Sequence, residues 1–258
     1  MYNDINNLKL VVHAINDCDL QDNMILVGSW CEFFYQDLFD TYTSNMKTRD
    51  HDILIKRPVS KGDQFHKTMI EYGFSYFDDD GKSKYMKGDN EVEFLTTLGR
   101  NYEHIYKIPN IKLNAECLPY FDIIIQNLQE AELDNMKVLI PSPPAYVLHK
   151  LIINPSRKIE KKQKDIDAVS NIIIKMMDEE LYGGELKMLY ASLPKKQKAI
   201  VDSVVDEYNI VPFKQLIDHY SLGQTSAVQL IEESERLISK GAGTDDIKNP
   251  KNDKGYEM

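Results

Sequence analysis

The chain has 258 residues, of which 42% are hydrophobic and 28% charged, a balance typical of a folded globular protein. Its formal net charge of −10 excludes nucleic-acid binding through a diffuse positive field, so such a partner would need a local basic patch. No apolar run approaches the roughly 20 residues that span a bilayer, and the opening MYNDINNLKL lacks the pattern of a signal peptide. We therefore expect a cytoplasmic protein with no membrane partner.

The first 140 residues alternate between predicted helices and strands. A helical apolar period over residues 4–20 is followed by MILVG, a short buried strand, and by SWCEFFYQDLFDTY, a helix with an aromatic face. HDILIKRP is a second strand, and GDQFHKTMIEYGF is a helix that ends at Gly73. Turn residues at Asp80-Gly81 and Gly88-Asp89 predict a hairpin before the strand EVEFLTTL, and MKVLIPSP is a further strand. This alternation predicts an α/β (α+β) domain over residues 1–140.

The remainder of the chain is predicted to be helical. Residues 141–240 form an α-helical C-terminal domain, and the polar residues 241–258 form a disordered tail. A helix, the run FKQLIDHY, a turn at Gly223 and a helix from Thr225 have the rhythm of a helix-turn-helix. The acidic end of the last helix would repel phosphates, which favours a helical bundle that covers a ligand site or binds a partner.

A small-residue turn joins the first strand to the next helix at Gly28-Ser29. A strand, a tight turn and a helix N-terminus together can hold a phosphate, because backbone N–H groups are free there and the helix dipole favours an anion. The alternative is a tight turn that only lets the helix pack against the strand.

Two carboxylates open the second strand. Asp50 and Asp52 are two residues apart, so their side chains point to the same face, at the edge of a buried strand. Adjacent carboxylates without a cation repel each other, and a metal or a buried proton would compensate. The alternatives are two solvated aspartates at the start of a strand, or ligands of a structural cation such as calcium.

A third acid follows in the strand EVEFLTTL, where Glu91 and Glu93 are also two residues apart. We favour Glu93 because it lies closer to the apolar part of its strand. Three carboxylates are hard oxygen ligands that suit Mg²⁺ or Mn²⁺ together with substrate phosphates.

The segment after residue 140 contributes basic candidates. Lys150 follows His149 on a helix that starts after three prolines, and it either neutralises a phosphate or lies in solvent. His149 is interpreted as a packed or surface histidine, not as a catalytic base. The run RKIEKKQK is the strongest positive patch of the chain and either is a solvated helix face or contacts a polyanion such as tRNA through Arg157, Lys158, Lys161 and Lys162.

These elements together resemble the polymerase-beta-type nucleotidyltransferase superfamily. The Gly-Ser turn, the Thr-x-Asp-x-Asp pattern of KTRDHDILI and the later order Pro-Ser-Pro, His-Lys and Lys-Asp resemble a bacterial subgroup, over residues 20–175. The resemblance implies a mixed sheet with flanking helices, followed by helices. Two features depart from the common pattern: the third acid is Glu instead of Asp, and the gap between Gly28 and Asp50 is long.

The resemblance also implies roles for individual residues. Gly28 and Ser29 would hold the triphosphate of a nucleoside triphosphate (NTP), the co-substrate, and Lys150 would neutralise its phosphates. Asp50 and Asp52 would bind Mg²⁺ or Mn²⁺, and Glu93 would be the third ligand or the base for the acceptor hydroxyl.

The sequence thus predicts a metal-dependent nucleotidyltransferase that moves a nucleoside monophosphate (NMP) from an NTP to an acceptor: RNA, a protein or a small molecule. The alternative is a non-catalytic regulatory protein with a nucleotide-binding fold that binds DNA or a protein partner through its helical C-terminus.

Overall fold

The computed structural model describes residues 2–39, 41–44, 48–99 and 103–220, which contain nine strands, eight α-helices up to residue 207 and a further helical run over 211–220. The strands are β1 Met24–Val27, β2 Asp50–Ile55, β3 Ser75–Asp79, β4 Lys82–Lys87, β5 Asn90–Thr97, β6 Ile105–Ile108, β7 Leu113–Leu118, β8 Leu128–Leu133 and β9 Met136–Pro141. The helices are α1 Tyr2–Asp17, α2 Cys31–Tyr35, α3 Phe65–Glu71, α4 Asp122–Ile125, α5 Pro143–Ile153, α6 Ile159–Asp178, α7 Glu180–Ser192 and α8 Lys195–Glu207.

All nine strands join one mixed sheet with flanking helices, which confirms the predicted fold class. The main path runs β3-β4-β5-β2-β1-β9-β8. Strand β5 pairs parallel with β2 on one side, and on its other side it pairs with β4 near its start and with β7 near its end. Strands β2 and β5 therefore lie in the interior of the sheet and begin at the same edge.

The pleat of β2 sorts its residues between the two faces of the sheet. Asp50, Asp52 and Leu54 share one face, and the buried residues His51, Ile53 and Ile55 point to the other. Leu54 packs in an apolar cluster with Phe121 and Ile124 of the α4 region. The two aspartates thus project from the face that carries this cluster, just beyond its apolar part.

Helix α5 is buried on all sides, because ten of its eleven residues are shielded from solvent. Such a helix is apolar around its whole circumference, as the run PPAYVLHKLII shows. Ser142 caps it by accepting a hydrogen bond from the N–H of Ala145, and prolines occupy the first turn, where no N–H partner is needed. The polar residues His149 and Lys150 are therefore held inside the protein.

Several elements follow the predictions and others differ from them. The strands predicted around Ile25, Ile53, Phe94 and Val138 are present, as are the two turns of the hairpin. The predicted aromatic helix is much shorter: a 3₁₀ turn over Gly28–Trp30 leads into a five-residue α2. Strands β6, β7 and β8 were not predicted.

Contacts group residues 1–217 into one compact unit, and the predicted boundary at residue 140 falls at the end of β9 within it. The predicted turn at Gly223, the helix from Thr225 and the tail 241–258 lie outside the described residues. Among the described helices, none is long and apolar enough to cross a membrane.

Candidate active site

The turn at Gly28 lies against the first carboxylate pair. Gly28 has a positive φ of 73°, and a Cβ added there would lie 2.2 Å from Oδ2 of Asp52. Strand pairing explains this closeness, because Val27 and Asp52 are partners in the antiparallel pair β1–β2. Glycine at this position therefore leaves room for the Asp52 carboxylate and also supplies a backbone conformation that other residues rarely adopt. Because α2 has only five residues, its dipole adds less than the sequence pattern implied.

The four acids of β2 and β5 lie in two cross-strand pairs. Asp50 is the register partner of Glu91, and Asp52 is the partner of Glu93, so all four side chains share one face. Burial, reinforced by the nearby Glu93 carboxylate and opposed by the Lys150 ammonium, raises the pKa of Asp52 to about 6. A group with this pKa would release its proton readily when a cation arrives.

The structure places Glu93 next to Asp52 but gives it a cationic partner of its own. Nζ of Lys84, on the neighbouring strand β4, lies 2.9 Å from Oε1 of Glu93 and also pairs with Glu91. Glu93 is absent from the side chains that line the cavity described next. Sequence reasoning missed Lys84, since only the register of β4 against β5 brings it to the two glutamates.

A cavity of about 840 Å³ opens at this edge of the sheet and brings together five of the six predicted site residues. Its lining includes Gly28, Ser29, Asp50, Asp52 and Lys150. On the α5–α6 side three further basic residues line it, namely Arg157, Lys161 and Lys164. Asp50 and Asp52 thus lie on the strand side, next to Arg49, and most of the lining cations lie on the helix side, together with Asp165.

The cations on the helix side of the cavity form a cationic wall, namely Lys150, Arg157, Lys161 and Lys164. Lys150 is the buried member of this wall. Its side chain is only 6% exposed, and its Nζ lies 2.6 Å from Oδ1 of the equally buried Asp165. The other oxygen of Asp165 accepts a hydrogen bond from Nε of Arg157 at 3.0 Å. Asp165 thus fixes two cations at once. Lys150 is therefore not a solvated lysine, and its contact with a phosphate stays a prediction.

Only some residues of the basic run RKIEKKQK line the cavity. Arg157 and Lys161 line the cavity, whereas Lys158 and Lys162 are not among its lining residues. Lys158 is the N-terminal cap residue of α6, and Lys162 is half-buried and accepts a hydrogen bond from Asn154 through its carbonyl. Lys161, Lys164 and Asp165 fall on one side of α6, whereas Lys158 precedes the helix with an extended backbone.

Two buried histidines lie beside the site, and each stacks on an aromatic ring. His149 stacks on Phe121 with ring centroids 4.9 Å apart, and burial together with the Lys150 charge lowers its pKa to about 3. This agrees with the interpretation of His149 as a packed residue. His51 stacks on Trp30 at 5.1 Å, and burial lowers its pKa as well. Trp30, which lines the cavity, was missed because an aromatic after Gly-Ser reads as helix core.

The carboxylates of the cavity are candidate ligands for a divalent cation. Within the described ranges, no three His, Cys, Asp or Glu side chains form a ready-made metal-binding group. Asp50 and Asp52 nevertheless fit Mg²⁺, which binds through one or two carboxylates and completes its shell with water and substrate phosphates. Both carboxylates line the cavity, where water and a substrate phosphate could complete the shell.

The chain is similar in sequence and in fold to known nucleotidyltransferases. A family model described as "Nucleotidyltransferase" matches residues 6–194, which contain every residue of the cavity named above. No curated protein matches the sequence. The crystal structure of an antigenic nucleotidyltransferase-like protein from Paracoccidioides brasiliensis superposes with a TM-score of 0.50 at 12% identity, over 84% of this chain and 93% of that one. The solution structure of the antibiotic-resistance factor ANT(2'')-Ia gives a TM-score of 0.38 at 9% identity, over 90% and 98% of the two chains.

Proposed function

The chain belongs to the nucleotidyltransferase family, and from this premise we propose that its cavity binds a metal–NTP complex and transfers the NMP to an acceptor. The observation that carries the proposal is the arrangement of one cavity, with Asp50 and Asp52 on its strand side and Lys150 and Lys161 on its helix side. Carboxylates attract a divalent cation, and ammonium groups attract phosphates. A metal nucleotide presents both charges at once.

We propose Asp50 and Asp52 as the ligands of Mg²⁺ or Mn²⁺. When bound, the metal would neutralise phosphate charge and stabilise the charge that develops during displacement at phosphorus. Without a cation, the Asp52 carboxylate is held ionised only at a cost, as its raised pKa shows. Cation binding removes that cost, so the site is suited to an ion that arrives with its nucleotide.

The phosphates would lie between the Gly28-Ser29 turn and the cationic wall. Gly28 lets the backbone approach closely, Ser29 offers a hydroxyl and an N–H, and Lys150 contributes a fixed charge. Because Asp165 locks Lys150 in place, little side-chain freedom is lost when phosphate binds. Lys161 adds an exposed charge at the mouth of the cavity.

The reaction is a displacement at the α-phosphorus. An acceptor oxygen forms a bond to this phosphorus while the bond to the bridging oxygen of the β-phosphate breaks, and pyrophosphate leaves with the electron pair. An acceptor hydroxyl loses its proton to a carboxylate, the role proposed for Glu93 if it is not the third metal ligand. Catalysis then rests on positioning and charge stabilisation by the residues of the cavity.

We propose RNA, a protein or a small molecule as the acceptor. Arg157 and Lys161 line the cavity and are assigned to the nucleotide phosphates. Lys158 is exposed away from the cavity lining, so it is the member of the basic run best placed for a polyanionic acceptor such as tRNA.

The test uses each of the four NTPs labelled at the α-phosphate, with Mg²⁺ and pools of tRNA, proteins and small metabolites. The wild-type protein is compared with the variant Asp50→Asn/Asp52→Asn and with NTPs labelled at the γ-phosphate. We expect α-label to enter one pool with wild-type protein only, with release of unlabelled pyrophosphate. Transfer of γ-label, or equal α-transfer by the variant, would contradict the proposal.

A further inference from the structure

Lys84 lies on the sheet face that carries the four acids, on the far side of β5 from the two aspartates. It is on β4 and is the direct register partner of Glu93. Its Nζ lies 2.9 Å from Oε1 of Glu93 and 2.9 Å from Oδ2 of Asp79, and it also pairs with Oε1 of Glu91. Its side chain is 19% exposed, and the glutamates are less exposed than Asp79, at 24% and 35% against 62%.

Lys84 contacts both glutamates from the β4 side of β5. The strand order is β4-β5-β2, so Lys84 approaches Glu91 and Glu93 from the side opposite to Asp50 and Asp52. One oxygen of each glutamate is engaged on the β4 side. The two aspartates have no such partner on β4, because β5 separates them from it.

The Lys84 ammonium also reduces the repulsion among the four acids on this face of the sheet. Two acids from each of β2 and β5 project side by side, and like charges on adjacent strands destabilise a sheet. Lys84 compensates the charges of the two glutamates on β5. The two aspartates on β2 instead face the cavity and its cationic wall. The four acids are thus divided into a pair with a built-in cation and a pair open to an added one.

We propose that Lys84 is a positioning residue that keeps Glu93 out of the ligand set of the resting metal, so that the metal is first held by Asp50 and Asp52 alone. This inference rests on the proposed metal-dependent function. Glu93 is thereby reserved for the later stage in which the acceptor is present. Loss of Lys84 would free Glu93 to reach the metal and would leave the face more negative.

The experiment measures Mn²⁺ binding by calorimetry to the full-length protein without nucleotide. Replacing Lys84 by Met keeps its length and apolar stem and removes its charge. We expect Lys84→Met to bind Mn²⁺ about tenfold more tightly than wild type, because a nearby positive charge is lost and a ligand is gained. General damage to the fold would weaken binding instead, so the direction of the change is diagnostic.

Two controls separate charge from structure. Lys82→Met lies two residues away on the same strand and loses an ion pair of similar length, 3.0 Å to Glu116, which is not one of the four acids. It should leave Mn²⁺ affinity unchanged. Lys84→Arg should restore wild-type affinity, and adding Glu93→Gln to Lys84→Met should abolish most of the gain.

A further variant covers the case in which Lys84→Met does not fold. Glu93→Gln alone should keep Mn²⁺ affinity within about threefold of wild type, whereas Asp52→Asn should lose it. If Glu93→Gln weakens binding as much as Asp52→Asn does, Glu93 is a ligand of the resting metal and the inference is wrong. Unchanged binding by folded Lys84→Met would overturn the inference alone. Absence of Mn²⁺ binding to the wild-type protein would overturn the proposed function and this inference together.

Discussion

Gly28 lies directly against the carboxylate of Asp52 across the antiparallel pair β1–β2. The carboxylate oxygen Oδ2 of Asp52 lies where a side chain at residue 28 would begin, 2.2 Å from the position of its Cβ. The glycine that the sequence pattern assigned to a phosphate-binding turn is therefore also required by the carboxylate beside it. This contact joins the proposed phosphate turn and the proposed metal ligands into one unit.

Replacement of Gly28 by Ala should damage both parts of that unit. The positive φ costs about 1–2 kcal/mol for a residue with a Cβ, and the collision must also displace Asp52. We expect a lower free energy of unfolding in urea and at least a tenfold loss of Mn²⁺ affinity.

Gly88 provides the matched control for this substitution. Its φ is also positive, at 60°, but nothing lies within 4 Å of an added Cβ. Gly88→Ala should therefore carry the backbone cost without any loss of Mn²⁺ binding. Equal Mn²⁺ affinities in the two variants would show that the Gly28–Asp52 contact does not matter for the metal.

Replacement of Asp52 by Asn should stabilise the metal-free protein at alkaline pH. The pKa of Asp52 is raised to about 6 in the folded protein from an ordinary value of 3.8. A raised carboxyl pKa means that its contribution to stability is fully present below about pH 3.8 and is lost as the pH rises through 6. In EDTA at pH 8, the variant should be more stable than wild type by about 3 kcal/mol.

Urea unfolding of the two proteins from pH 4 to pH 8 checks the sign. The difference in unfolding free energy should shrink toward acid pH, where Asp52 carries a proton in the folded protein. Mn²⁺ should reverse the order at pH 8, since only the wild type retains both carboxylates. A variant that is less stable than wild type in EDTA at every pH would contradict the assigned environment of Asp52.

Replacement of Asp165 by Asn should be strongly destabilising. Lys150 is only 6% exposed, and Asp165 is its partner at 2.6 Å. Breaking a buried pair by removing one member leaves an uncompensated charge, at a cost of about 3–5 kcal/mol. The effect is measured as a fall in the urea midpoint at unchanged slope.

The double variant Lys150→Met/Asp165→Leu separates stability from nucleotide binding. Replacing Lys150 and Asp165 together should recover much of the stability, because the most deeply buried pair of charges is removed and Arg157, with 33% of its side chain exposed, remains hydrated. Calorimetric NTP affinity should stay reduced, since the fixed cation of the wall is gone. Wild-type NTP affinity in a stable double variant would remove Lys150 from the proposed phosphate site.

Replacement of Lys161 by Gln should weaken Mg–NTP binding about threefold to tenfold, the effect of one partly exposed charge near a phosphate. Lys158→Gln is the matched control, because Lys158 is exposed, lies three residues earlier and is not among the residues that line the cavity. It should change NTP affinity less than twofold. Comparable losses in both variants would mean that the whole basic run, and not its cavity-facing side, binds the nucleotide.

The parts of the site that depend on local pattern could be predicted from the sequence. The two-residue spacing of Asp50 and Asp52 places them on one face wherever the strand lies, and the apolar residues that follow fix the strand. Gly28 and Ser29 follow a buried four-residue strand, so their place at its end was also readable. The cavity brings these four residues together as the pattern indicates.

The contacts that depend on register and packing could not be predicted. Lys84 reaches Glu93 only because β4 and β5 pair in one particular register. Asp165 reaches Lys150 because α5 and α6 pack side by side, which no local pattern encodes. Neither acid–base pair is distinguishable in the sequence from a solvated charge.

Some strands were missed for reasons of local chemistry. In β6 and β7 the alternation of apolar residues is interrupted by Pro109 and by the left-handed Lys112 between them. Strand β8 has the sequence LQEAEL and lies at the end of the sheet path, where its polar residues meet solvent and resemble a loop. The predicted long helix after Ser29 stops at Tyr35 because the N–H groups of Asp37 and Leu38 bond three residues back.

The measurement that tests the central claim most directly is calorimetric titration of each NTP into the wild-type protein and into Asp50→Asn/Asp52→Asn, with and without Mg²⁺. The account predicts that at least one NTP binds the wild type with one-to-one stoichiometry and that Mg²⁺ tightens this binding at least tenfold. In the variant, Mg²⁺ should make no difference, and the residual affinity should be that of the cationic wall alone. The claim would be contradicted if no NTP binds the wild type, or if Mg²⁺ tightens binding equally in both proteins.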